Sequence, residues 1–199
     1  MPSPRRSKLL ASALVVGALG SVVALGVFGL FSATTQNSGN EISSGTVALS
    51  DNDAGSAEFN ITAAKPGDTW TRCIKVSYNG SLPADLHIYT VGGAGPLAPY
   101  LSLKLSQGTQ SEATFPSCTG FTPDATNGTG TLFEGPAFGA IGNTYETGAP
   151  VVPFGQTVWN PGNSLVFKST LTLSAAAPDL AQGSTTGVFT IFAEARNNS

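Results

Sequence analysis

Thr69-Trp70-Thr71-Arg72-Cys73-Ile74-Lys75-Val76-Ser77-Tyr78, running into Asn79-Gly80, is the stretch that decides the fold. Trp70, Ile74, Val76 and Tyr78 share one alternating register, broken only by Arg72, with Thr, Cys, Lys and Ser between them. A period of two is the mark of a strand with one buried face, and Asn-Gly behind it is a strong turn signal. Ahead of the strand stands Lys65-Pro66-Gly67-Asp68. Pro there presets one φ of a type II bend, and Gly supplies the positive φ that the next position needs.

The same grammar extends outward in both directions. Strands are expected over residues 41–50, 57–61, 84–91, 101–105, 165–173 and 188–195, each apolar on alternate residues or, in the last, nearly throughout. Asn160-Pro161-Gly162-Asn163 repeats the Pro-Gly turn ahead of the 165–173 strand. Seven or eight short strands joined by such turns predict an all-β chain: two packed antiparallel sheets, a jelly-roll or related Greek-key sandwich. Between residues 107 and 153 the alternation is lost among Gly, Thr, Pro and Asn, so an irregular insertion is expected there.

Composition agrees. With 24 Gly, 13 Pro and 41% hydrophobic residues, the chain is too apolar for disorder and too broken for long helices. Its 199 residues leave room for a leader and one domain, read as residues 40–199. The formal charge is -3, and Arg5, Arg6 and Lys8 sit in the leader, so the remainder is more acidic still. No basic patch with interleaved aromatics occurs, and nucleic acid is not an expected partner.

Residues 9–31 carry no charge and are rich in Leu, Val, Ala and Gly, behind three positive charges. This is the pattern of a signal peptide, residues 1–29, whose length also permits a membrane-spanning anchor. Val27 and Gly29 form a small-x-small pattern for a signal peptidase, with Leu30 as the new N-terminus. Contact with a membrane is expected only through this leader. Cleavage would free residues 30–39, beginning Leu30-Phe31-Ser32-Ala33-Thr34-Thr35, an apolar-to-polar ribbon without a local partner. In an exported chain the two cysteines, Cys73 and Cys118, are expected to form one disulfide.

Chemistry is sparse. His87 is the single histidine and falls on the face opposite Leu86 and Ile88. Neither HExxH nor Gly-x-Ser-x-Gly occurs, and no His, Cys and carboxylate set has metal-ligand spacing. Asp51-Asn52-Asp53 resembles the opening of a calcium loop but lacks the Glu at the required offset. No catalytic residue, metal site or cofactor is expected.

A family resemblance adds what composition does not. The leader ending Gly26-Val27-Phe28-Gly29-Leu30-Phe31-Ser32, followed by Asn40 and by Ser44-Gly45-Thr46-Val47-Ala48-Leu49-Ser50, resembles the SipW-type signal region and first strand of the TasA/camelysin family. Lys65-Pro66-Gly67-Asp68-Thr69 and Asn79-Gly80-Ser81-Leu82-Pro83-Ala84-Asp85 are similar to that family's pair of turns. Asn160-Pro161-Gly162-Asn163-Ser164, and Gln182-Gly183 ahead of residues 188–195, resemble its closing strands. The resemblance implies a jelly roll released by a dedicated signal peptidase. It further implies a bacterial extracellular or cell-surface matrix protein, a biofilm fibre built head to tail by donation of the freed N-terminal strand to a sister copy. The family also includes a metallopeptidase, camelysin, whose activity the single histidine does not support. The Cys73–Cys118 pair is additional to the family pattern.

Overall fold

The structure, a computed structural model, describes residues 32–35, 47–125, 129–178 and 183–197. Ten strands are present among them: β1 Ser32–Thr35, β2 Leu49–Asp51, β3 Thr69–Tyr78, β4 Ala84–Gly92, β5 Leu101–Gln110, β6 Phe121–Pro123, β7 Thr131–Pro136, β8 Ala149–Val151, β9 Ser164–Leu173 and β10 Phe189–Asn197. They form a four-stranded sheet in the order β1-β10-β4-β8 and a larger sheet in the order β2-β3-β9-β5-β6, with β7 also on β5. Every pairing is antiparallel. Taking β2 and β6 as edge additions leaves β1-β10-β4-β8 against β3-β9-β5-β7. That is the eight-strand order of a jelly roll, in which consecutive strands, β5 and β7 excepted, lie in opposite sheets.

Burial follows the alternation. Ile74, Val76 and Tyr78 of β3, Leu86 and Ile88 of β4, Leu105 of β5, Phe167 of β9, and Ala193 and Ala195 of β10 meet in one apolar cluster. Trp159, wholly buried in that cluster, donates its indole N–H to the Val151 carbonyl at 2.8 Å. A second cluster is built on Leu101, Leu103, Leu171 and Leu173, with Trp70 against it.

β3 spans the ten residues Thr69–Tyr78, and the Pro-Gly turns ahead of β3 and of β9 are closed by hydrogen bonds. The Asp68 N–H donates to the Lys65 carbonyl at 3.0 Å with Gly67 at φ +91, and Asn163 donates to Asn160 at 3.0 Å with Gly162 at φ +86. Both have the positive φ at the third position that a type II turn requires. Asn79-Gly80 behaves differently: it makes no hairpin, because β3 and β4 lie in different sheets and residues 79–83 carry the chain across.

Two expectations are corrected. Residues 57–61 form no strand; they are a loop whose Phe59 and Ile61 pack on the second cluster, so their alternation reflects packing without pairing. Residues 107–153 are no insertion: β5 runs on to Gln110, and β6, β7 and β8 all fall within this stretch. Two of these strands, β7 and β8, belong to the eight of the sandwich. They are six and three residues long, and β7 meets β5 across a register shift at Leu105/Ser106. Such short, bulged strands leave no readable period.

Cys73 and Cys118 are joined in a disulfide, with Cα atoms 5.1 Å apart. The bond ties the outer face of β3 to the loop after β5, where the Cys73 N–H also donates to the Pro116 carbonyl at 3.1 Å. Among the described residues no helix is long and apolar enough to cross a membrane; the apolar run of residues 9–31 lies outside them.

Candidate functional site: the β1–β10 edge

β10 brings the C-terminal end of the described chain into the middle of the four-stranded sheet. One side of it is held by β4 from Phe189 to Asn197. The other side is held by β1 over four residues: Ser32 opposite Arg196, Ala33 opposite Ala195, Thr34 opposite Glu194 and Thr35 opposite Ala193. The remaining edge, from Phe189 to Phe192, has no strand partner among the described residues. Leu30 and Phe31 of the expected donor ribbon, and the cleavage residues Val27, Gly29 and Leu30, lie outside the described residues.

The expectation of an unpaired ribbon is therefore corrected for Ser32, Ala33, Thr34 and Thr35. They are hydrogen-bonded within their own chain. The reason is topological. In a jelly roll the first strand closes the outer edge of the sheet that contains the last strand, and a bare β10 would leave a row of backbone donors and acceptors unmade.

On the outer face beside this seam, β10 and β4 assemble a polar and aromatic cluster. Alternation along Phe192-Ala193-Glu194-Ala195-Arg196 turns the alanines inward and the other three outward. Tyr89 donates its hydroxyl to Glu194 Oε2 at 2.7 Å, and Arg196 Nε donates to Glu194 Oε1 at 2.8 Å. Arg196 Nη1 reaches Glu146 Oε1 at 2.6 Å, in a short 3₁₀ turn at Tyr145–Thr147 that folds over the strands. The guanidinium lies 4.0 Å from the centre of the Tyr145 ring, whose other neighbour is the stacked His87 imidazole at 4.2 Å. Tyr89 stacks on Phe192 at 5.0 Å. Glu194 is buried at 6% exposure, so its two ligands provide the charge-assisted bonds a buried carboxylate needs.

Burial, with the hydrogen bond and charge of Glu194 behind it, holds the Tyr89 hydroxyl far above the ordinary phenol value. Burial and the Asp85 charge raise Tyr145. Backbone hydrogen bonding, and then the bond from Arg196, lower Glu146. Tyr89 is thus a fixed donor at neutral pH and Glu146 a fixed acceptor. The arrangement staples β4, β10 and the 145–147 turn together and presents no activated nucleophile.

His87 lies on the outer face, as its position opposite Leu86 and Ile88 implied. Its Nδ1 is 2.6 Å from the Tyr145 carbonyl oxygen. The cluster itself was not legible as a site. Tyr145 and Glu146 come from the stretch without visible period, and reading β10 as ending at residue 195 left Arg196 out of the pattern.

Residues 6–91 match the family described as camelysin metallo-endopeptidase. The resemblance to the TasA/camelysin family carried by residues 26–85 stands on that match, which takes in most of the expected leader, β1 to β3 and β4 as far as Val91; the resemblance at residues 159–195 lies beyond it. No curated protein matches the chain. The family name implies a metal. A catalytic zinc takes three protein ligands, and among the described residues no three His, Cys, Asp or Glu side chains are grouped to hold one. The single imidazole is stacked and bonded at Tyr145, and the nearby acids Glu146 and Glu194 are engaged by Arg196. The described residues do not fit such a centre.

Proposed function

We propose that this camelysin-type chain is a secreted or cell-surface structural protein that assembles with itself. Its β1, released from the leader by a signal peptidase, leaves its own β10 and pairs with the β10 of a sister copy. The observation that supports this most is the pairing of Ser32–Thr35 with residues 193–196. The first and last described strands close one sheet edge, and the strand contributed by the N-terminus is only four residues long.

The exchange is symmetric in its contacts. A sister β1 makes the same backbone bonds to β10 as the chain's own, so the difference in free energy lies in the connection and in mass action. Residues 36–46 lie between β1 and the described chain from Val47, and eleven residues extend to at most roughly 36–40 Å. Donation in one direction is heterologous and does not close on itself, which yields filaments. This is strand exchange, in place of the capture of a free ribbon.

Electron microscopy of the exported chain with and without residues 30–38 is the test. Filaments that persist unchanged after the deletion would reject the mechanism. The family's printed name offers a second reading, a metallo-endopeptidase. Chelator-sensitive casein cleavage that is lost in His87→Ala would favour it over assembly.

A further inference from the structure

Between the sheets lies a cavity of about 220 Å³ whose walls include Phe59, Ile74, Ile88, Leu105, Phe167 and Ile191. Asp51, Ala57 and Glu58, from β2 and the loop after it, complete one side. Ala57 is exposed, so solvent reaches the cavity from there. An apolar cavity of roughly 150 Å³ already takes a benzene-sized molecule, so this one has room for a tail of about six to eight carbons.

The wall carries a polar notch where the two apolar clusters meet. β3 and β9 set Arg72 opposite Ser169, and Ser169 is 1% exposed. Glu58 enters from the loop beside Ser169, whose hydroxyl favours the ionised carboxyl. Glu58 as a residue is half-buried, yet its Oε1 is shielded from solvent and has no hydrogen-bond partner. Asp53, 3% exposed, likewise has Oδ2 without a partner, while its Oδ1 accepts from the Gly55 N–H. A shielded carboxylate oxygen without a donor is costly, and a donor carrying positive charge relieves it most.

We propose that this cavity binds a small amphiphilic cation, a primary ammonium group on an apolar tail, with the head on Glu58 Oε1 and the tail between the sheets. Charge complementarity selects the head. The charged groups that bear on Glu58 are Asp53, which repels its ionised form, and Arg72, which favours it. Asp51 of β2 adds a further carboxyl to the lining, and no ionisable side chain of β4, β5, β9 or β10 lines the cavity.

Burial, followed by the Asp53 charge, pushes the Glu58 carboxyl up to about 7. Burial, followed by hydrogen bonding with Asp53, pushes Asp51 up to about 6. An ammonium ion favours the ionised form, so its affinity follows the ionised fraction of Glu58 and rises about tenfold from pH 6 to pH 8.

The experiment is calorimetric titration of the purified full-length chain with hexylammonium, hexan-1-ol and hexanoate at both pH values. Hexylammonium is expected to saturate one site and to bind about tenfold more tightly at pH 8, with the alcohol weaker and insensitive to pH. Glu58→Gln is expected to lower hexylammonium affinity to that of the alcohol and to abolish the pH dependence. Ala193→Leu, which narrows the cavity, is expected to weaken both probes. Hexanoate binding as well as hexylammonium, unchanged affinity in Glu58→Gln, or no saturable binding to the native chain would overturn the proposal. If Glu58→Gln does not fold, the three probes at two pH values on the native chain decide it alone.

Discussion

A cross-strand lock tests the exchange mechanism most directly. Ala33 and Ala195 are register partners on β1 and β10, and Ala195 is fully buried. Directly opposed residues of an antiparallel pair have Cα atoms about 4.5–5.5 Å apart, within the roughly 4.4–6.8 Å that a disulfide bridges. Ala33→Cys with Ala195→Cys therefore adds two sulfurs at a site able to join them, and oxidation fixes β1 on its own chain. Four paired residues hold β1. At one hydrogen bond per paired residue, and a net of about 0.5–1.5 kcal/mol for each, the seam is worth roughly 2–6 kcal/mol. At the middle of that range, with about 1.4 kcal/mol per factor of ten, roughly one chain in a thousand has β1 undocked at any moment. That fraction supplies every exchange, and the lock removes it. Filament growth, followed by light scattering and electron microscopy, is expected to stop in the oxidised double variant, while circular dichroism shows the sandwich intact. Ala33→Cys alone is the control and is expected to polymerise. A locked chain that builds filaments at the native rate would refute strand exchange.

The disulfide closes a separation of 45 residues, so replacing Cys73 and Cys118 with Ala is expected to cost about 4 kcal/mol. A lowered denaturant midpoint is the readout, with a steeper slope as the unfolded chain loses its cross-link. Trp159→Ala empties a fully buried site and leaves the Val151 carbonyl without its donor, an expected loss of roughly 3–5 kcal/mol by the same measurement. The folded Glu58 carboxyl stands at about 7 against an ordinary 4.5. Its contribution is full below pH 4.5 and is lost as pH rises through 7, an effect of roughly 3 kcal/mol. Unfolding curves between pH 4.5 and pH 8 are expected to show that decline, and Glu58→Gln is expected to flatten its upper part.

How far the sequence discloses this fold depends on strand length. β3 and β9, ten residues each and paired along Thr69–Ser77 and Ser164–Thr172, were readable to within one residue because a long pair repeats its period several times. β8 has only Ala149, Pro150 and Val151, too short for a period to exist. Residues 57–61 misled in the opposite way, since Phe59 and Ile61 alternate for burial alone. Asn79-Gly80 gave the right place for a chain reversal and the wrong kind, because a dipeptide encodes local curvature and not the sheet that receives the next strand. Residues 32–35 of the candidate edge read as a ribbon without a local partner, and the partner they have was not legible. Pairing Ser32 with Arg196 is a contact across 164 residues, and nothing local in either strand specifies it.

The same topology bears on what the family match means for function. Residues 6–91 bring the leader, the strand that closes the sheet edge, and β2 to β4. The described residues in that span with side chains able to ligate a metal are distributed by the fold. Asp51 lies on β2 and Asp53 and Glu58 in the loop after it; Asp68 accepts the Lys65 N–H at 2.8 Å in its turn; Cys73 is spent in the disulfide; Asp85 and His87 stand on the outer face of β4. A hydrolytic centre would have to draw together groups that two different sheets and a turn hold apart. Edge closure by β1 asks nothing of the kind, since it needs only backbone groups and a short strand with a connection long enough to let it leave. Under the assembly proposed above, filament formation is the property to measure first.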